Sequence, residues 1–190
     1  LGGVFIEHAQ WSRDGRFYHT EWSRDQQRVR LVAVDPATGA ARVLLEEATQ
    51  QHGHLHPGPR PFEPAVFAIL PEADEFIWYS HSSGWGHLYR YDLVTGEVKN
   101  PITSGEYVVT ALHRVDRQQA CLYFTACGRE PDQNPYFEHF YRVNLDGSGL
   151  TLLTPEVGQH DIVAPGFIDG HFLPVPQICG LSPNGAVFID

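Results

Sequence analysis

The sequence predicts an all-β fold, in particular a partial β-propeller of about three four-stranded blades plus the start of a fourth. Aromatic residues make up 12% of the 190 residues and charged residues only 19%, a balance that suits half-buried strands. In addition, an apolar strand that runs into Asp or Asn and then into a Gly-containing turn recurs at fifty-odd residues. The three copies lie at 30–39, 87–96 and 139–147.

Each copy predicts a β-hairpin, because Asp or Asn can hydrogen-bond its own turn and Gly accepts a positive φ. Outer strands are expected after the turns at 41–45, 97–103 and 150–154, and Pro101 is compatible with an edge strand. Two further strands precede each hairpin, at 4–11 and 16–22, at 65–70 and 75–80, and at 108–115 and 120–126. Four antiparallel strands at this spacing are typical of propeller blades.

These strands predict blades at 1–50, 62–106 and 107–157, a connection over 158–180 that is interrupted by prolines, and an incomplete blade at 181–190. The last blade would contain only its inner hairpin. Known propellers close with roughly four to eight blades, so we expect an incomplete ring and a chain that is part of a longer polypeptide. The alternative architecture is an irregular β-sandwich.

Composition disfavours several classes of partner. Lys and Arg number 13 and Asp and Glu 23, so the formal net charge of −10 repels nucleic acid and anionic lipid. No apolar run reaches the roughly 18 to 20 residues of a membrane helix. Cys121, Cys127 and Cys179 are an odd number without CxxC spacing, so we expect free thiols rather than a disulfide framework or a zinc site.

Histidines do not predict a metal site here, and no cofactor is expected. His52, His54 and His56 are suitable ligands by type, but no carboxylate or Cys stands at metal-ligand spacing. His87 and His139 recur at equivalent blade positions. A shared structural hydrogen bond explains that recurrence better than catalysis does.

A family resemblance is carried by several consecutive segments. They are Ser80-His81-Ser82-Ser83-Gly84-Trp85-Gly86-His87-Leu88-Tyr89, Ile102-Thr103-Ser104-Gly105-Glu106-Tyr107, Leu122-Tyr123-Phe124-Thr125-Ala126, His139-Phe140-Tyr141-Arg142-Val143 and Leu152-Leu153-Thr154-Pro155-Glu156. Their order resembles the propeller of the dipeptidyl peptidase IV family of prolyl-oligopeptidase-type serine peptidases, over nearly the whole chain. The sequence departs from the family at Tyr107, where Trp is usual, at Ser82-Ser83, where charged residues are common, and over 164–180.

The resemblance implies a non-catalytic part of a serine exopeptidase that releases N-terminal Xaa-Pro or Xaa-Ala dipeptides. The propeller would wall the substrate chamber and limit access to short peptides, and an α/β-hydrolase domain in the same polypeptide would hold the Ser-His-Asp triad. The nucleophile motif G-x-S-x-G is absent, and Ser148 is expected in a hairpin turn. The expected partners are a peptide substrate and further copies of the chain, in a bacterial protein of the periplasm or cytoplasm.

One substrate-binding residue, Arg60, follows from the resemblance. In the family a similar Arg-Pro-x-Glu-Pro stretch places its Arg at the active-site cavity, and here the stretch is Arg60-Pro61-Phe62-Glu63-Pro64. Glu46-Glu47 does not match the family's acidic pair for the substrate amino terminus, so both are expected at a solvated strand end. The alternative function is a stand-alone propeller that serves as a binding or scaffold module with no linked peptidase.

Overall fold

The computed structural model describes residues 4–13, 15–48 and 66–160, together with four two-residue strands beyond residue 160. The described residues form three four-stranded antiparallel sheets, each with its strands in chain order. The first sheet comprises β1 (Val4–Trp11), β2 (Phe17–Ser23), β3 (Arg28–Val34) and β4 (Ala41–Ala48). The second comprises β5 (Phe67–Leu70), β6 (Glu75–Ser80), β7 (His87–Asp92) and β8 (Val98–Pro101), and the third β9 (Val108–Asp116), β10 (Cys121–Cys127), β11 (Glu138–Asn144) and β12 (Thr151–Leu152).

The remaining strands form two small hairpins. β13 (Phe167–Ile168) pairs with β14 (His171–Phe172), and β15 (Gly180–Leu181) pairs with β16 (Phe188–Ile189). The first hairpin lies where the sequence predicted only a connection, and the second lies in the predicted incomplete blade. The helical content of the described residues is one 3-10 turn, Pro71–Ala73, and none of their segments is a helix able to cross a membrane. The predicted all-β, partial propeller fold is confirmed.

Side chains that alternate along each strand build a core on both faces of the second sheet. On β6, Phe76 and Trp78 pack into a cluster shared with the first sheet, whereas Ile77 and Tyr79 pack into a cluster shared with the third. This alternation follows from the two-residue period of a strand. All six residues of β6 are buried as a result, which explains its run of aromatic and aliphatic residues.

Polar side chains also connect each sheet to the next one along the chain. The guanidinium of Arg42 on β4 donates to the carbonyl oxygens of Leu93 and Val94 at 2.7 and 2.6 Å. One interface later, the amide nitrogen of Asn100 on β8 donates to the carbonyl oxygen of Leu145 at 3.0 Å. In both cases a fourth strand satisfies carbonyl groups in the turn between the third and fourth strands of the following sheet.

A turn glycine approaches the neighbouring sheet at the same two interfaces. Gly96 has φ +76° and lies so close to β4 that a Cβ atom would clash with the carbonyl oxygen of Leu44. Gly147 has φ +87°, and its Cβ would be 3.0 Å from the carbonyl oxygen of Pro101. Gly39 holds the same place in the first sheet with φ +70°, but a Cβ there would meet no described atom within 4 Å. Glycine is therefore needed for its conformation at all three turns and for close approach at two.

Candidate functional site

The second and third sheets each have two distinct ends. At one end, which we call the loop end, β6 joins β7 through residues 81–86 and β10 joins β11 through residues 128–137. The opposite end carries the turns 71–74, 93–97, 117–120 and 145–150. The chain enters the second sheet at the loop end, since the Tyr79 N–H on β6 donates to the Val66 carbonyl at 3.1 Å. The connection that contains Arg60 therefore precedes a strand that starts at this end.

His87 lies at the loop end, at the start of β7, and both of its ring nitrogens are bonded. Nε2 lies 2.9 Å from the carbonyl oxygen of Gly105, so it carries the proton and donates. Nδ1 then accepts from the Thr103 hydroxyl at 3.0 Å, and the same hydroxyl oxygen accepts from the Leu88 N–H. Burial lowers the pKa of His87 below its ordinary value, against the effect of the Gly105 carbonyl. The imidazole is thus neutral and fixed, as a structural group would be.

The third sheet repeats this arrangement with a variation. His139 starts β11, and its Nδ1 donates to the Thr154 carbonyl at 2.9 Å, while the Thr154 hydroxyl accepts from the Phe140 N–H at 2.9 Å. In both sheets, therefore, a threonine hydroxyl accepts the N–H of the residue that follows the histidine. The structure accordingly shows a recurring hydrogen-bond pattern at the two positions that the sequence singled out.

A cluster of charged and aromatic side chains lies between the second and third sheets at the loop end. Arg129 follows β10, and its guanidinium carbon lies 5.9 Å from the ring centroid of Tyr107 and 5.4 Å from that of Tyr141. Its Nη1 donates to Oε1 of Glu130 at 2.7 Å, and the Tyr141 hydroxyl donates to the same oxygen at 2.9 Å. We call these four residues, Arg129, Glu130, Tyr107 and Tyr141, the arginine cluster.

The electrostatics of the arginine cluster keep it charged but internally balanced. Burial raises the pKa of Tyr141, and the hydrogen bond to Glu130 raises it further, so the phenol stays protonated and donates. Burial opposes the charge on Arg129, but Glu130 raises the pKa of the guanidinium above its ordinary value. The side chains of Arg129 and Glu130 are 35% and 16% exposed, so the pair is sheltered yet reachable from solvent.

A second ionic group lies at the opposite end of the second sheet. The carboxylate of Glu75, at the start of β6, accepts from Arg90 Nε at 2.6 Å and from Lys99 Nζ at 2.7 Å. Burial alone would raise the pKa of Glu75, but these two cations hold it below its ordinary value. The three side chains come from β6, β7 and β8 of one sheet, so they cross-link its strands. This group is structural, because each of its charges is used within the sheet.

Arg60, the predicted substrate-binding residue, lies outside the described residues, as do His52, His54, His56 and Cys179. Ser148 lies in the turn between β11 and β12, where its hydroxyl donates to Asp146 at 2.7 Å, as expected for a turn residue. Within the described ranges, no three His, Cys, Asp or Glu side chains are grouped as they would be around a metal ion.

The expectation of a solvated strand end holds for Glu46 but is wrong for Glu47. Glu46 is exposed and pairs with Arg30 on the neighbouring strand. Glu47 points to the other side of β4, toward Ser80 and Trp78 of the second sheet. Burial there raises the pKa of Glu47, although the nearby polar groups of Ser80 and Trp78 oppose the shift. The two-residue period of a strand separates the two neighbours, because only one face of β4 meets another sheet.

The arginine cluster did not emerge from the sequence. Arg129 and Glu130 stand in a polar loop, and their partners Tyr107 and Tyr141 lie on segments that the sequence separates. One signal was available, since Gly128-Arg129-Glu130 closely follows the predicted strand at 120–126, and Gly128 does take a left-handed φ of +83° in the structure. A charged pair placed immediately after a strand by a left-handed glycine is held close to the sheet.

Comparison with known proteins identifies the class to which this fold belongs. The structure superposes on a crystal structure of Porphyromonas gingivalis dipeptidyl peptidase 4 with a TM-score of 0.64, at 19% sequence identity, over 84% of this chain and 21% of that one. The fold is therefore that of a propeller segment of a dipeptidyl peptidase. A family model described as the dipeptidyl peptidase IV N-terminal region matches residues 4–170. The chain belongs to this family, as its motifs predicted.

Curated relatives agree with this assignment. A protein named probable dipeptidyl-aminopeptidase B from Aspergillus oryzae is 29% identical over 186 residues, which are 96% of this chain and 19% of the relative. A protein of the same name from Coccidioides posadasii is 28% identical over 158 residues, 80% of this chain and 17% of the relative. The chain thus spans about a fifth of the length of these relatives. Because they are fungal, the expected bacterial source is not established.

Proposed function

We propose that this chain is the non-catalytic propeller segment of a serine exopeptidase that releases N-terminal Xaa-Pro or Xaa-Ala dipeptides. The observation that carries the proposal is the family match over residues 4–170, together with three successive four-stranded sheets. The sheets wall a chamber that admits short peptides, and an α/β-hydrolase domain in the same polypeptide supplies the nucleophile. We assign the blades to 1–50, 62–106 and 107–157, with an incomplete blade at 181–190.

The test of this function is hydrolysis of an Xaa-Pro-anilide by the full-length polypeptide, with the 190-residue chain alone as the control. We expect activity only in the full-length protein, because the chain contains no G-x-S-x-G motif. An inactive full-length protein that lacks this motif downstream would instead support a stand-alone binding or scaffold module.

We also propose that Arg60 contacts the substrate in the full-length enzyme. A guanidinium held between prolines is a rigid donor for a carbonyl or carboxylate, and one charge-assisted hydrogen bond contributes roughly 1.5–3 kcal/mol. Arg60→Ala should therefore lower kcat/KM on short peptides by about tenfold to a hundredfold, with the melting temperature nearly unchanged. The matched control is Arg24→Ala, which removes an exposed arginine from the β2–β3 turn. Activity within about twofold of the unmutated enzyme would show that Arg60 does not contact substrate.

A further inference from the structure

The arginine cluster contains hydrogen-bonding groups that the rest of the described structure leaves unused. Oε1 of Glu130 accepts from both Arg129 and Tyr141, whereas Oε2 accepts no hydrogen bond from any described residue. In the same loop, the buried side-chain oxygen of Gln133 also has no donor among the described residues. Only one of the three guanidinium nitrogens of Arg129 meets a carboxylate there. A buried acceptor without a donor is uncommon, so the Gln133 oxygen calls for an explanation, whereas Oε2 of Glu130 is an acceptor open to solvent or to a ligand.

The contacts of Arg129 hold its guanidinium in place but leave part of it available to a ligand. The guanidinium carbon lies over the rings of Tyr107 and Tyr141, 5.9 and 5.4 Å from their centroids, so cation–π attraction to both rings holds the side chain in place. Guanidinium N–H groups point outward in the plane, and Glu130 occupies one of those directions. The free in-plane N–H groups are therefore donors whose position is fixed before any ligand arrives.

The charge of the cluster favours a neutral ligand. Arg129 and Glu130 neutralise each other. The attraction of a free carboxylate to the arginine would therefore be offset by its repulsion from the glutamate. A ligand that presents one acceptor and one donor side by side would satisfy both. The peptide unit is such a ligand, because each residue has one C=O acceptor and one N–H donor on its main chain.

We propose that Arg129 and Glu130 bind the main chain of an extended peptide, with Arg129 donating to a carbonyl oxygen and Oε2 of Glu130 accepting from an N–H. This inference rests on the proposed function, in which a peptide substrate passes along this part of the propeller. The cluster lies at the loop end, where Trp85 and Tyr136 are 41% and 83% exposed and offer aromatic surface for side chains of the peptide. Recognition through the main chain would serve peptides of varied sequence.

The experiment measures peptide binding to the full-length polypeptide by titration calorimetry. The probe is the hexapeptide Ala-Pro-Ala-Ala-Ala-Ala with its second peptide bond reduced to a methylene amine, so that it cannot be hydrolysed. In a series of analogues, each remaining main-chain N–H is replaced in turn by an ester oxygen. In the unmutated protein we expect one ester to weaken binding about tenfold, the loss of one hydrogen bond to a charged group.

Variants then assign that loss to the cluster. In Glu130→Ala the same ester should not weaken peptide binding any further, because the acceptor of the N–H is already absent. In Glu72→Ala, which removes the glutamate of an exposed Arg–Glu pair in the turn before β6, the full ester effect should remain. Arg129→Met keeps an apolar side chain beside the two rings and should weaken the binding of all the peptides by about tenfold without changing the relative effects of the esters. Thermal melting checks that each variant is folded, and Arg129→Met provides the test if Glu130→Ala does not fold.

Two results would overturn the inference: equal ester losses in the unmutated protein and in Glu130→Ala, or unchanged peptide affinity in Arg129→Met. Hydrolysis of the Xaa-Pro-anilide is measured separately on the same samples. If the ester coupling is present but hydrolysis is absent, the peptidase proposal fails while the peptide site stands. If hydrolysis is present without the coupling, the arginine cluster only anchors its loop.

Discussion

At the scale of single residues, Glu47 shows that the pKa of a carboxyl group depends on the face of the strand from which it projects. Its neighbour Glu46 lies in solvent beside Arg30, whereas Glu47 lies against Trp78 and Ser80 of the next sheet. A carboxylate transferred from water to such a place favours its protonated form, because the interior solvates charge poorly. The adjacent residues Glu46 and Glu47 therefore carry carboxyl groups in two different environments, one in solvent and one against the next sheet.

The raised pKa of Glu47 predicts a dependence of stability on pH. A carboxyl group whose pKa is higher in the folded than in the unfolded state contributes stability below its unfolded value, near the ordinary 4.5, and this contribution is lost as the pH rises through the folded value. Glu47→Gln should thus gain stability relative to the unmutated protein as the pH rises from 4 to 7, measured by urea unfolding. Glu46→Gln, on the exposed face, is the control, and the same pH trend in both variants would contradict the prediction.

His113 should act in the opposite direction along the pH scale. Burial lowers its pKa to about 4, although Glu138 opposes the shift, and its Nε2 lies 3.1 Å from the Thr125 hydroxyl. A histidine with a depressed pKa must be charged on unfolding, so stability falls as the pH drops from its unfolded value near 6.5 toward 4. His113 should contribute up to about 1.4 kcal/mol per pH unit to this slope, and His113→Gln should lower the slope by that amount. An unchanged slope in that variant would assign the acid sensitivity to other groups.

The contacts of individual side chains were also the features that the sequence predicted least well. Ser148 could be assigned to a turn because the chemistry of Asp146-Gly147-Ser148-Gly149 is local. The burial of Glu47 depends on which sheet lies against β4, and the arginine cluster depends on two tyrosines brought from different strands. Contacts of this kind are set by packing between sheets, which a strand pattern does not encode.

At the scale of elements, the strand pattern was highly informative. β1 and β6 begin and end at the predicted residues, because alternation and turn residues are local signals. The outer strands β8 and β12 are shorter than predicted, for one shared reason. The hydroxyls of Thr103 and Thr154 accept the N–H groups of Leu88 and Phe140, so side chains replace strand pairing at these points.

The turn glycines allow a matched test of how closely the sheets approach one another. Gly39→Ala places a Cβ at φ +70° in open space and should cost about 1 kcal/mol, the conformational penalty alone. Gly96→Ala has nearly the same φ but would drive its Cβ into the carbonyl of Leu44, so it should cost roughly 1–3 kcal/mol more. Urea unfolding measures the loss of stability in both variants. Equal losses would mean that β4 moves away from residue 96 without a cost in stability.

At the scale of the whole molecule, the first sheet leaves an apolar edge uncovered by any described residue. Val4, Phe5 and Ile6 on β1 are 51%, 53% and 63% exposed. Exposed apolar strands at a sheet edge favour association with other chains. We therefore expect the isolated 190-residue chain to self-associate, with a mass by sedimentation that increases with concentration.

A charge on this edge should weaken that association. Ile6→Lys should shift the equilibrium toward monomer, because a lysine on an edge strand opposes pairing with a second chain. Val94→Lys, which changes an equally exposed valine in a turn of the second sheet, is the control. A monomer at every concentration of the unmutated chain would count against the prediction.

The close approach of Gly96 and Gly147 to their neighbouring sheets also has a geometric consequence. At both interfaces a turn glycine lies against a backbone carbonyl of the neighbouring sheet, so a side chain there would push the two sheets apart. In a propeller of roughly four to eight blades, the tilts between successive sheets must add up to a full circle. A misfit at one interface therefore has to be distributed over all the others. A bulkier side chain at either glycine would separate the two sheets. The ring would then fail to close, at a point far along the polypeptide from the substitution itself.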